Sequence, residues 1–117
     1  ICGMCAYHTH GGIILRPSMM KLDAEMSPRD PTLYRAIGEV GTKLTGYPVI
    51  STYEEFTPDK SKVRHGSLKD WVYEEMGIIC FSTELWDIET AAGVEKKGYY
   101  NLDLDGVQIG IMLTFVP

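Results

Sequence analysis

The stretch 70–84, DWVYEEMGIICFSTE, decides the fold of this chain. Its first half predicts a helix, and Gly77 predicts where that helix ends, because glycine readily adopts the left-handed conformation that follows many helices. The apolar run 78–83 then predicts a buried strand. This strand ends in one acid, Glu84, and burying a carboxylate there costs free energy unless a partner compensates for its lost hydration. A glutamate that simply turns into solvent is the ordinary alternative.

Upstream of this stretch, predicted strands alternate with a predicted helix. The segments 1–8 and 47–53 are each apolar enough for a strand, the first of them central in its sheet, and 13–15 could extend the first strand. The helix between them has one apolar face, made of residues three and four positions apart: Leu33, Ile37, Val40 and Leu44. Alternation of this kind is typical of an α/β domain with a largely parallel sheet.

Length and composition argue against several classes of protein. At 117 residues, the chain is one compact domain or part of a larger one, with 44% hydrophobic and 23% charged residues. The net charge of −5 and the lack of a Lys/Arg run argue against a nucleic-acid partner. The longest mainly apolar run, 107–116, is too short to cross a bilayer. Three cysteines, an odd number, do not form a disulfide framework, which favours a cytoplasmic location.

A second motif lies far upstream of Glu84, at 6–12, AYHTHGG. Its two histidines, His8 and His10, lie two residues apart at the end of a predicted strand, so on regular β geometry their side chains share a face. Imidazole is a common zinc ligand, although a single histidine is more often a hydrogen-bonded structural residue. The motif therefore indicates a metal site only in combination with the downstream strand.

Three stretches together resemble the zinc carboxypeptidase family, the carboxypeptidase A-like exopeptidases: YHT at 7–9, GSLKDW at 66–71 and FSTEL at 81–85. In that family one strand ends in a His-Ser/Thr pair whose histidine is the third zinc ligand, and a later strand ends in Phe-Thr-x-Glu-Leu. The resemblance runs from residue 1 to residue 86 and covers the later half of the family's domain. It implies a mixed, largely parallel sheet flanked by helices in a three-layer αβα arrangement.

The resemblance also implies roles for individual residues. His8 would bind zinc, the implied cofactor, and Glu84 would be the general base that removes a proton from the attacking water. Thr9 and His10 would lie along the groove for the substrate, which in this family is the C-terminus of a peptide or protein. Lys69 would lie at the base of the pocket for the C-terminal side chain, where its charge predicts a preference for Glu or Asp.

Only part of the family's zinc site has a counterpart in this sequence. The other two ligands come from a His-x-x-Glu motif, and no histidine here is followed by glutamate three residues later. We expect a portion of a longer polypeptide, with the remainder of the catalytic domain upstream and no hydrolysis by this chain alone. We assign 1–98 to the carboxypeptidase-like domain and 99–117 to an atypical tail, where Asp105-Gly106 predicts a β-hairpin.

Two other interpretations stay open. A non-catalytic domain could use the same scaffold to bind peptides, although the retention of both His8 and Glu84 argues for chemistry. Alternatively, Cys2 and Cys5 form a C-x-x-C that could join His8 and His10 in a small structural zinc site. The His-x-His spacing is also similar to that of amidohydrolase barrels, but those need roughly 250 residues.

Three residues outside these motifs have simple predictions. Arg16 could face the substrate groove, but it is assigned to the surface. Tyr53 is assigned to the strand predicted at 47–53, because it lies too far from Asp70 to match the family's mobile tyrosine. Cys80, inside the apolar run, is predicted to be a small buried hydrophobic residue.

Overall fold

The computed structural model describes residues 2–62, 65–87, 91, 93, 103–104 and 107–108. The chain divides into two compact units, 1–87 and 88–117. The first unit contains every candidate site residue. The predicted boundary between residues 98 and 99 lies outside the described residues.

Two helices and four strands form the described part of the first unit, together with a 3₁₀ turn at Asp23–Glu25 and a π-helical turn at Thr52–Phe56. The strands are β1 (Gly3–His8), β2 (Ile13–Arg16), β3 (Val49–Ser51) and β4 (Ile79–Glu84), and the helices are α1 (Arg29–Thr45) and α2 (Leu68–Met76). Gly77 follows α2 in the left-handed conformation, with φ 63°. The helix, its end and the strand predicted from the stretch 70–84 are therefore confirmed.

The four strands form one mixed sheet in the order β1-β4-β2-β3. β1 and β4 are parallel, as are β2 and β3, whereas β2 and β4 are antiparallel. Helix α1 packs against β2 and β3, and helix α2 packs against β4 and β1. The prediction of an α/β fold, with a mixed and largely parallel sheet flanked by helices, is confirmed.

Strand β1 lies at the edge of the described sheet, not at its centre as its apolar sequence predicts. Its residues are exposed apart from the half-buried Ala6, and Tyr7 is 68% exposed. A parallel strand with this composition is normally covered on both faces. Among the described strands β1 pairs only with β4, so the prediction of a central strand is wrong for this sheet.

The segment 13–15 does not extend β1 but forms a separate strand, β2. The chain reverses through Gly11 and Gly12, whose φ angles of 144° and 63° are positive. Strand β2 then runs antiparallel to β4, with Ile13 opposite Glu84. This reversal places Glu84 between two strands, with β1 on one side and β2 on the other.

The buried face of α1 is not the predicted one. The buried residues of this helix are Pro31, Tyr34 and Gly38. The apolar residues predicted to be buried are instead exposed, by 38% to 82%: Leu33, Ile37, Val40 and Leu44. A Cβ atom at Gly38 would lie 2.4 Å from Cγ2 of Val49, so the helix backbone approaches β3 more closely than any other residue type would allow. Close packing of the helix backbone on β3 therefore buries the face that carries Gly38.

Each face of the sheet carries an apolar cluster, because alternate residues of a strand point to opposite faces. One cluster consists of Ile14, Met26, Tyr34 and Phe81, and the other of Ile13, Leu15 and Ile50. The ring of Tyr34 packs edge-on against Phe81, with centroids 5.1 Å apart, and its hydroxyl accepts the N–H of Cys80 at 3.1 Å. Cys80 is fully buried, as predicted.

In the second unit, the strands β5 (Asp103–Leu104) and β6 (Val107–Gln108) form an antiparallel pair, with Asp103 opposite Gln108. This is the register that a hairpin around residues 105 and 106 requires, and the rest of the predicted tail lies outside the described residues. Within the described part of the chain, no helix is long and apolar enough to cross a membrane.

Candidate functional site

The site forms where β1 and β4 end side by side. His8 is the last residue of β1, Glu84 is the last residue of β4, and the two are register partners in the parallel pair. Neighbouring strands lie about 4.8 Å apart, so the two backbones are as close as two residues from different strands can be. The motifs that are far apart in the sequence therefore meet at one end of the sheet.

His8 and Glu84 also share a face of the sheet. Side chains alternate along each strand, so Glu84 lies on the face that carries Cys80 and Ser82, and the register pairs these residues with Met4, Ala6 and His8 of β1. On the β2 side of Glu84, Ile13 is only 2% exposed. Glu84 thus lies between an exposed imidazole and a buried aliphatic side chain and is itself half-buried.

Backbone hydrogen bonds join the loops that follow the two strands. The N–H of Leu85 donates to the carbonyl of His8, and the N–H of Gly11 donates to the carbonyl of Trp86, both at 2.8 Å. The N–H of Trp86 donates to the hydroxyl of Tyr47 at 3.0 Å. Loop 9–12 and loop 85–87 therefore form one connected structure around the end of β4.

Thr9 and His10 lie in the bend that follows β1, and both are exposed. Because β1 ends at His8, His10 is not on a regular strand, and the prediction that the two histidines share a strand face is wrong. Both residues nevertheless lie in the loop that contacts Glu84 through Gly11, where a Cβ atom would be 3.0 Å from Cβ of Glu84. They are close to the site along the chain, and they are open to solvent.

Lys69 is the least expected member of this region. It is only 2% exposed, and its ammonium group donates to Oδ2 of Asp70 at 2.6 Å and to Oγ of Ser67 at 3.1 Å. Burial lowers the pKa of the Lys69 ammonium, and the negative charge of Asp70 opposes that shift, as Glu84 does to a smaller extent. Lys69 is therefore buried, as a residue at the base of a pocket would be, but its charge is already paired.

Ser67 occupies the N-cap position of α2. Its hydroxyl makes no capping bond to the helix, and it instead accepts a hydrogen bond from Lys69. Asp70, in the first turn, accepts the N–H of Met19 at 2.7 Å on its other oxygen, Oδ1. The start of α2 is thus held by bonds to the buried ammonium and to the loop after β2, which a sequence pattern does not reveal.

The donors at this end of the sheet suit zinc, although they do not complete a site. An imidazole nitrogen, such as those of His8, and a carboxylate oxygen are ordinary zinc ligands. Within the described ranges, no group of three or more His, Cys, Asp or Glu side chains is close enough to hold a metal ion. His8 can therefore supply one ligand to a metal that would need others.

The four residues of the alternative C-x-x-C site do not converge on one point. Cys2 and Cys5 are both exposed free thiols, and Sγ of Cys5 lies 3.3 Å from Oγ1 of Thr83. Cys5 and Thr83 belong to the face of the sheet opposite His8, because they occupy the alternate positions of β1 and β4. All four residues are described, and they form no metal-binding group.

Two simpler predictions are wrong. Arg16 is buried, with a side chain only 4% exposed, and its guanidinium forms two bonds to the Asp23 carboxylate at 2.5 and 2.8 Å. A second arginine, Arg35, contacts the same carboxylate from the solvent side. Tyr53 lies in the π-helical turn that follows β3, not in a strand. Asp23 is only seven residues beyond Arg16, in the 3₁₀ turn, so the pairing depends on the path of the chain after β2 and not on local composition.

Sequence reasoning missed Tyr47 as a site residue and included Gly11 only as part of the motif 6–12. The glycine pair at 11–12 is a usable signal, because two glycines directly after a strand indicate close approach of another chain segment. Tyr47 gives no such signal, since a tyrosine before a proline looks like an ordinary strand residue.

A comparison with protein-family models finds no match for this chain, and a comparison with curated protein sequences finds none either.

Proposed function

We propose that this chain supplies one zinc ligand, His8, and the general base, Glu84, of a zinc-dependent carboxypeptidase, which removes C-terminal residues from peptides. The observation that carries the proposal is the register pairing of His8 with Glu84 at the ends of two parallel strands. A ligand and a base must be this close, because the base has to reach a water molecule beside the metal. The pairing joins two motifs that resemble one family.

The roles follow from burial and position. His8 is exposed at the strand end, so an imidazole nitrogen is available to a metal. When bound, zinc would supply a Lewis acid that polarises the scissile carbonyl and makes water more acidic. Glu84 would accept a proton from the attacking water on a carboxylate oxygen and pass it to the leaving amine. Buried Ile13 beside it excludes water from one side of that carboxylate.

The substrate would approach from the open side of the strand ends. Thr9 and His10 are exposed there and can contact a peptide beside Glu84. We retain the proposal that Lys69 favours an acidic C-terminal side chain. Its ammonium is buried and bonds to Ser67 and Asp70, so its charge, and not a direct hydrogen bond, would attract an acidic side chain. Because Asp70 offsets the charge, we expect a modest preference for acidic residues.

The remaining ligands would come from an upstream part of a longer polypeptide. Among the described strands, β1 pairs on one side only, and its other edge and the exposed apolar residues of α1 leave surface on which further strands and helices can pack. His8 lies at that free edge, so additional ligands can approach it from the side opposite β4. We also propose a reducing compartment such as the cytoplasm, since all three cysteines are free thiols.

Zinc titration followed by NMR tests the metal assignment in the chain as it exists. We expect Zn²⁺ to shift the imidazole signals of His8 with weak affinity, since one or two ligands bind zinc poorly. His8→Ala should abolish the response, whereas the matched variant His10→Ala should retain it. A response that requires Cys2 or Cys5 instead would contradict the proposal and favour the small structural zinc site.

Activity is tested in the protein that includes the upstream coding sequence. With zinc, it should release C-terminal residues from peptides, and Glu84→Gln should lower kcat by about 10²–10⁴-fold, the usual contribution of a general base. Lys43→Ala, at an exposed residue in the last turn of α1, serves as a control that should leave the rate unchanged. Zinc-independent binding of peptide C-termini without hydrolysis would instead support the non-catalytic scaffold.

A further inference from the structure

Trp86 has a backbone conformation that needs an explanation. Its φ angle is 51°, which makes it the one residue other than glycine with a positive φ in the described part of the chain. Bulky residues rarely adopt this conformation, because Cβ approaches the backbone carbonyl, and they keep it where surrounding contacts impose it. Trp86 is half exposed, at 52%, so packing of its side chain is not the main constraint.

Hydrogen bonds at both backbone polar groups of Trp86 impose that conformation. Its N–H donates to the hydroxyl of Tyr47 at 3.0 Å, and its carbonyl accepts the N–H of Gly11 at 2.8 Å. Tyr47 lies just before β3, and Gly11 lies just after β1, so the two partners come from opposite sides of β4. The loop after β4 is therefore held between them two residues beyond Glu84.

Gly11 also contacts Glu84 directly. A Cβ atom at residue 11 would lie 3.0 Å from Cβ of Glu84, closer than most side-chain contacts, and 3.5 Å from its Cγ, an ordinary contact distance. The φ angle of Gly11 is 144°, which other residues rarely adopt. Glycine at this position thus lets the backbone of loop 9–12 lie against the side chain of Glu84 and limits where that side chain can go.

We infer that Tyr47 and Gly11 are positioning residues, which keep the carboxylate of Glu84 beside the imidazole of His8. Tyr47 holds the loop that follows Glu84 through its bond to Trp86. Gly11 lets the loop that follows His8 lie against the side chain of Glu84. A general base loses efficiency when it is misplaced even slightly. We call the contacts of Tyr47 and Gly11 the Glu84 clamp, and it is useful only if Glu84 acts on a neighbouring group. In that respect the inference rests on the proposed function.

The test measures the position of the Glu84 side chain in the chain as it exists. In a labelled sample, NOE cross-peaks between the γ protons of Glu84 and the ring protons of His8 report whether the two side chains lie together. We expect the cross-peaks in the unaltered chain and their loss in Tyr47→Phe, which removes the acceptor for Trp86. We expect the same loss in Gly11→Ala, where the new methyl group displaces Glu84.

Matched variants separate positioning from general stability. Tyr73→Phe also removes a hydroxyl that makes a hydrogen bond, here to Asp30 at 2.6 Å, and Gly46→Ala also introduces a side chain at a positive φ, with no atom within 4 Å. Both should lower the melting temperature as much as the test variants do and yet retain the cross-peaks. If Gly11→Ala does not fold, Tyr47→Phe decides the question alone.

The inference is overturned if Tyr47→Phe keeps the cross-peaks, or if the unaltered chain lacks them. Either result leaves the zinc response of His8 untouched, so a failure of positioning is distinguishable from a failure of the proposed function. Conversely, loss of the cross-peaks in the test variants, together with an unchanged zinc response, supports positioning even if the chain proves to be a binding domain.

Discussion

Replacing Lys69 with methionine tests the most unusual feature of the site region, a buried ammonium beside a proposed base. Lys69 is 2% exposed, and Asp70, which accepts its hydrogen bond at 2.6 Å, is 17% exposed. Removing one partner of a buried ion pair costs about 3–5 kcal/mol, because the other charge is left uncompensated. The substitution preserves length and apolar volume, so loss of the charge dominates the outcome.

The expected cost lies below that range for two structural reasons. Asp70 retains the hydrogen bond from the N–H of Met19 at 2.7 Å, and it keeps some contact with water. The variant also avoids the free-energy cost of burying the Lys69 ammonium. We therefore expect a loss of about 2–3 kcal/mol in the free energy of unfolding. For a unit of this size, that corresponds to a melting temperature lower by roughly 10–20 °C.

Thermal and denaturant unfolding of three variants measure the effect. Lys21→Met is the matched control, since the bond from Lys21 to Glu74 is 2.8 Å long but exposed, and such pairs contribute at most about 1 kcal/mol. Adding Asp70→Asn to Lys69→Met should recover part of the loss, because the uncompensated charge is removed. The reasoning is refuted if Lys69→Met costs no more than Lys21→Met, or if the double variant recovers nothing.

Three further predictions concern the packing and titration of the first unit. Burial raises the pKa of Tyr34 to about 12, so the neutral hydroxyl contributes its full stability below pH 10. Between pH 10 and 12 the free energy of unfolding should fall by about 1.4 kcal/mol per pH unit. Denaturant unfolding followed by absorbance at 295 nm measures this loss, and a flat profile would contradict it. Gly38→Ala should destabilise by about 1–3 kcal/mol through its clash with Val49. A second substitution, Val49→Ala, should restore only part of this loss, because Cβ of residue 49 stays 2.9 Å from the new methyl group. An unchanged melting temperature in the single variant would refute the close approach of α1. Arg16→Met should cost about 2–3 kcal/mol in chemical denaturation, since it removes the buried partner of the half-buried Asp23 carboxylate and leaves one exposed partner. Arg35→Met should cost less than about 1 kcal/mol. Equal costs would show that the burial of Arg16 is unimportant.

Local signals predicted the elements around Glu84 well. The helix, the left-handed Gly77 and the strand all depend on interactions within a few residues, and each is present. The strand end at His8 and the fold class also followed from local pattern. Where the sequence prediction failed, a contact between distant segments competed with the local pattern. In α1, the spacing of the apolar residues predicted the wrong buried face, because Gly38 allows a closer approach to β3.

The candidate site likewise depends partly on local residue patterns and partly on contacts between distant segments. His8 and Glu84 were identified as candidates through the family that their motifs resemble, and an imidazole and a strand-end carboxylate are residue types suited to this chemistry. Their adjacency depends on β1 pairing with β4 in one register out of several, and a shift by one residue would turn the two side chains to opposite faces. The burial of Lys69 and the clamp formed by Tyr47 and Gly11 likewise join segments that are distant in sequence.

The sequence by itself therefore determined the class of fold, the presence of α2 and β4 with the helix end at Gly77, and the residue types available for chemistry. Tertiary structure alone decided which strand lies at the edge, which face of α1 is buried, and which side chains meet at the end of β4. The physical reason is that helix ends and strand patterns depend on short-range propensity, whereas register, burial and charge pairing depend on packing between segments that the chain brings together only on folding.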